Sequence, residues 1–152
     1  MISLIDLHKN QLLAKLPEAT LLRWLPQLEV VEMPLGKMLQ EPKMALSHVY
    51  FPTSAIVSLQ YVMRDGSPID IVTVGNEGVV GISVYLGGES TPSRAKVKCA
   101  GKGFRLRAAL VKEEFDQAGP VLHVLLSYAQ ELIVQISRSA VSGRSNASVK
   151  PI

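Results

Sequence analysis

Alternating apolar and polar residues between Leu28 and Leu106, interrupted every few positions by Gly, Pro, Asn or Asp, predict an antiparallel jelly roll. Helical periodicity is confined to the flanks of this 152-residue chain, before Pro26 and after Leu106. No helical pattern alternates with the strands, which argues against a doubly wound parallel sheet. The fold class is therefore mainly β with flanking helices, closed by one long C-terminal helix. The length suits a single domain with a core of its own.

Taken in order, residues 1–26 read as N-terminal helices. Leu12, Leu13 and Leu16 give an apolar stripe, and Pro17-Glu18-Ala19 opens a second helix that Pro26 stops. Strands follow at Leu28–Met33, Lys37–Gln40, His48–Phe51, Ala55–Met63 and Ile69–Val74, then at Ala95–Ala100 and Phe104–Leu106. Asp65-Gly66 favours the positive φ angles of a hairpin turn. Gly75-Asn76-Glu77-Gly78, Gly87-Gly88 and Gly101-Lys102-Gly103 read as further turns. Ala108–Phe115 is a short helix, and Gly119-Pro120 separates it from a helix over Val121–Val141. On that helix Leu122, Leu125, Ala129, Leu132 and Ile136 form a seam of alternating three- and four-residue steps. A second stripe, Leu126, Ile133 and Ala140, runs beside it. Two apolar faces need two covers. The roll supplies one and a second copy of the helix the other, with the seam assigned to the dimer interface. The expected division is one domain at 1–141 (N-terminal helices 1–26, β-roll 27–107, C-terminal helices 108–141) and a disordered tail at 142–152.

Charge and composition narrow the chemistry. The net charge is +3, and the basic residues are densest between Arg94 and Lys112. They never form a block of five, so they read as a solvated strand face, with an anion-binding patch at Arg94 as the sharper alternative. The single cysteine, Cys99, excludes an intrachain disulfide and reads as a buried structural thiol. His8, His48 and His123 are far apart and form no metal-ligand spacing. No nucleophile elbow, paired carboxylate or phosphate loop is present, so the expectation is no enzyme and no metal. The opening residues lack the basic and apolar regions of a signal peptide, and no apolar run reaches membrane-span length. A cytoplasmic protein with no membrane partner is expected.

The most distinctive stretch runs from Gly75-Asn76-Glu77-Gly78-Val79-Val80-Gly81 to Pro92-Ser93-Arg94-Ala95. A glycine-bounded turn exposes backbone N–H groups, and an arginine facing it would complete an anion clamp. With the flanking helices, this cassette resembles the cyclic-nucleotide-binding sensor domain of CRP/FNR-type transcription regulators over about residues 10–141. The resemblance implies a ligand site at Gly81, Ile82, Ser83, Ser93, Arg94 and Ala95, with Arg94 holding a phosphate. It also implies a homodimer through Leu122, Leu125, Ala129, Leu132 and Ile136. The effector would be a cyclic nucleotide or another small anion. DNA would be reached only through a domain absent from this chain. Cyclic-AMP-binding members carry a glutamate where this chain has Ile82, so weak or absent cyclic-AMP binding is expected. Two rivals are a dimerisation module with a non-functional pocket and, further off, a cupin-like metal enzyme.

Overall fold

The computed structural model describes residues 2–86 and 93–149, with side chains omitted at 85–86 and 139–149. Three short helices open the chain: α1 (Leu4–Leu7), α2 (Gln11–Ala14) and α3 (Glu18–Trp24). The first was not expected, although its signal is local. Ser3 caps the backbone of Asp6, and the Asp6 carboxylate accepts from the Ser3 N–H at 2.9 Å, a reciprocal capping box.

Seven strands follow among the described residues: β1 (Glu29–Met33), β2 (Met38–Gln40), β3 (His48–Pro52), β4 (Ile56–Val62), β5 (Pro68–Val74), β6 (Ser93–Cys99) and β7 (Gly101–Arg107). They form two antiparallel sheets, ordered β1-β7-β3 and β2-β6-β4-β5. The expected turn at Gly101–Gly103 is instead the start of β7, and only Ala100 separates it from β6. These glycines serve close packing: a Cβ at Gly101 would lie 2.7 Å from the Ala55 Cα, and one at Gly103 would lie 2.8 Å from the Phe51 carbonyl oxygen. A one-turn helix, α4 (Ser83–Leu86), sits between β5 and β6.

The C-terminal part is α5 (Ala108–Asp116) and α6 (Pro120–Val149). The backbone of 142–149, expected as a disordered tail, continues α6; Lys150–Ile152 lie outside the described residues. Propagating an existing helix adds one hydrogen bond per residue, so a polar sequence suffices once the helix is nucleated.

Two apolar clusters hold the molecule. The first joins the helices to β3 and β7: Leu7, Leu13, Trp24, Phe51, Leu106 and Leu125 are all buried. Trp24 and Phe51 meet with ring centroids 6.4 Å apart. The second fills one end of the roll with Met33, Val57, Val74, Val80, Ala95 and Val97. Asn10, fully buried, latches the helices to the roll. Its Nδ2 donates to the carbonyls of Pro52 and Gly78 at 2.8 and 2.9 Å, and its Oδ1 accepts from the N–H groups of Leu12 and Leu13, both at 3.0 Å.

Cys99 is exposed, against expectation. At the β4–β6 pairing the register slips between Ile56 and Val57: Val97 faces Val57, yet Cys99 faces Ile56. Lys98 is the extra residue, and this bulge turns Cys99 to the outside.

Candidate functional site: a neutral cavity under the long helix

The other end of the roll is hollow. A cavity of about 400 Å³ lies between β4, β5, the 79–83 segment and one face of α6. Consecutive residues of a regular strand face opposite ways, yet Leu59 and Gln60, and likewise Ile71 and Val72, all line it. A second bulge explains this. Leu59 pairs with Val72 and Gln60 with Asp70, so Ile71 is the extra residue and the wall opens around it.

The 79–83 segment reaches the cavity through a bridge between Tyr50 and Val80 and then turns at Gly81. The Gly81 φ of +115° is one that side chains rarely adopt, and a Cβ there would come within 3.2 Å of Val49 and Leu46. This turn delivers Ile82 and Ser83 to the cavity wall. Behind it, Gly78 packs directly on the Tyr128 ring of α6. Burial, and then the nearby Glu77 carboxylate, push the Tyr128 phenol above its ordinary pKa. From the next turns of α6, Leu132 and Ile136 close the cavity.

Of the six expected ligand residues, Gly81, Ile82, Ser83 and Ser93 line the cavity together. Ala95 does not; it is fully buried in the filled end of the roll. Arg94 is not among the lining residues either. Ser93 and Ala95 face inward, and alternation turns the residue between them outward. There Arg94 is placed opposite Gln60. Its Nε and the Gln60 Oε1 are a complementary donor and acceptor, both buried and without a hydrogen-bond partner among the described residues. The Gln60 Nε2 is committed to Asp70 at 2.8 Å, and Ser58 donates to the same Asp70 oxygen at 2.8 Å. These two hydrogen bonds hold the Asp70 carboxyl below the usual carboxylate range. The expected phosphate anchor thus stands across from Gln60 and is not among the described residues that line the cavity.

The expected dimer seam is corrected in the same way. Leu125, Ala129 and Leu132 are buried within this chain, Ile136 packs on the same cluster, and Leu122 is half-buried. The roll claims that seam because Leu132 and Ile136 lie over the cavity. What α6 leaves exposed is the second stripe, Leu126 at 43% and Ile133 at 58%. Sequence periodicity shows both stripes but not which one meets the roll.

No family model and no curated protein sequence matches the chain. Solved structures do. The regulatory subunit of a cAMP-independent protein kinase A from Trypanosoma cruzi, bound to guanosine, superposes with a TM-score of 0.70 at 17% identity, covering 93% of this chain and 49% of that one. The chain has the cyclic-nucleotide-binding β-roll fold. The c-di-GMP-responsive global regulator CLP from Xanthomonas campestris matches with a TM-score of 0.68 at 14% identity, over 82% of this chain and 63% of that one. The sensor domain of the transcriptional regulator DNR from Pseudomonas aeruginosa matches with a TM-score of 0.63 at 13% identity, over 80% and 86%. This chain therefore spans about half to two-thirds of the first two proteins and most of the third. In this β-roll fold the cavity lies between the roll and its C-terminal helix. Among the described residues, no helix is long and apolar enough to cross a membrane, and no group of three His, Cys, Asp or Glu is placed to hold a metal ion.

Proposed function

We propose that the chain is a non-catalytic, ligand-sensing regulatory domain that binds a small molecule in the cavity and reports occupancy through α6. One observation carries this reading. The same helix lines the cavity with Leu132 and Ile136 and presents Leu126 and Ile133 to solvent on another face. A ligand that presses on the first pair shifts the second, and a second copy packed on that stripe would feel the shift. The homodimer expected from the sequence is retained with a different contact face. Any DNA contact falls to a separate domain.

The cavity volume sits in the range of small-molecule sites. The described residues of its wall include no acid, base or thiol, which favours sensing over catalysis. Two neighbours of the same fold support a sensing role: the DNR domain is described as a sensor, and the Trypanosoma cruzi subunit holds guanosine. The test is a thermal-shift screen over a broad small-molecule panel, paired with sedimentation. A ligand that binds only the folded state raises its apparent stability. The expected result is at least one stabilising ligand and a dimer that Ile133→Glu dissociates without unfolding. A panel without any stabilising compound would leave a dimerisation module with a dead pocket. A monomeric wild type at high concentration would remove the dimer.

A further inference from the structure

We infer that the domain takes an apolar ligand, a molecule whose aliphatic chain or ring is seated between the β4–β5 wall and α6, and not a sugar phosphate. This inference rests on the sensing reading and names its ligand class.

Strands β4 and β5 bring Leu59, Ile71 and Val72 to the cavity, and α6 closes it with Leu132 and Ile136. Ile82 adds another aliphatic residue from the turn after Gly81. Leu59, Ile71, Val72, Ile82 and Ile136 are only half-buried, and all of these but Ile71 pack on the first apolar cluster. The void is thus an unfilled extension of that core. The polar residues of the described wall are mostly committed elsewhere. The Gln60 Nε2 donates to Asp70 at 2.8 Å, and Gln40 and Ser93 already interact within the chain. Ser83 is the remaining polar side chain.

Aliphatic side chains around a void forfeit dispersion contacts, and water between them finds few hydrogen-bonding partners. An apolar body restores those contacts and is itself removed from water. A charged group does the reverse. It loses its hydration and meets no counter-charge on the described wall, which holds no acid or base. The same seat accounts for the signal. Leu132 and Ile136 stand four residues apart on one face of α6, so a chain or ring packed against both bears directly on the helix.

The test is calorimetry of the intact chain with straight-chain primary alcohols from butanol to decanol. Affinity is expected to rise about fourfold for each added methylene, then to level off where the chain fills the cavity. Leu59→Ala, which enlarges the space, should move that plateau to a longer alcohol. Val72→Phe, which fills it, should weaken the tightest wild-type binder by about tenfold or more. Affinities that do not depend on chain length overturn the ligand class, as does a plateau that neither variant moves. Binding of cyclic AMP more tightly than of any alcohol, lost in Val72→Phe, overturns the ligand class while leaving sensing intact. Failure of every alcohol to bind wild type overturns it as well, and the broad panel then decides separately whether the domain senses anything.

Discussion

The two ends of the roll interior are built from the same three strands and are filled differently. At one end Val57 of β4, Val74 of β5 and Val97 of β6 are at most 1% exposed and interlock with Met33, Val80 and Ala95. Further along the same strands, Leu59, Val72 and Ser93 are only half-buried and line a space that none of the described residues fills. Each end carries a bulge: at the first, the extra residue Lys98 turns Cys99 out and leaves the core filled, whereas at the second the extra residue Ile71 opens the wall. A void of this size forfeits packing contacts, and a chain selected for stability alone would close it with larger side chains. The difference between the ends marks the site more clearly than any charged motif.

Truncation separates the two ends most strongly. Met33→Ala, at the filled end, is expected to cost about 2–5 kcal/mol in chemical denaturation, because a close-packed site cannot collapse around the loss. Leu59→Ala, beside the existing void, should cost distinctly less. Equal costs would mean that the hollow end is closed in solution. Asn10→Ala comes next. It leaves four buried backbone groups short of a partner and removes a helix cap, and should cost roughly 3 kcal/mol. Enlargement gives a smaller contrast of opposite sense: Val57→Phe should destabilise by about 1–3 kcal/mol by overpacking, whereas Val72→Phe, which grows into the cavity, should stay within about 1 kcal/mol of wild type.

How much of this could be read from the sequence depends on parity. Alternation located six of the seven described strands to within a residue or two, since a half-buried strand must show it, and missed the glycine-bearing first three residues of β7. Bulges have no comparable signature, and each error of facing follows from one or from a miscounted alternation. Cys99 was expected inside and lies outside because Lys98 is an extra residue. Arg94 was expected in the cavity, yet Ser93 and Ala95 on either side of it face inward. That Gly81, Ile82 and Ser83 come together at the cavity was legible because the turn at Gly81 imposes its own geometry. Gln40, Gln60 and Leu59 were missed as cavity-lining residues, since their place depends on pairing between distant segments. Leu132 and Ile136 were identified as a buried seam but assigned to the wrong partner.

The smallest expected effect concerns pH. The buried residues of the filled end are all aliphatic, and the carboxyl and imidazole shifts fall on the outer faces of the roll. Burial, reinforced by the Arg105 charge, holds the His48 imidazole below its ordinary pKa. The folded state therefore favours neutral His48, and stability should fall slightly as pH drops below about 6.5. The Glu29 and Asp70 carboxyls, lowered by hydrogen bonds from Arg105 and from Gln60 and Ser58 respectively, add a further loss as pH falls through the carboxylate range. Denaturation midpoints between neutral and acid pH would show both phases, and His48→Gln should remove the first.

The claim that the hollow end is the binding site is tested most directly by one paired measurement: the thermal unfolding midpoint of wild type and Val72→Phe, each with and without a ligand found by the small-molecule panel. The wild-type midpoint should rise with ligand concentration, while that of Val72→Phe, folded but with its cavity occupied by the new ring, should not move. An undiminished rise in Val72→Phe would contradict the assignment and place the ligand elsewhere on the molecule.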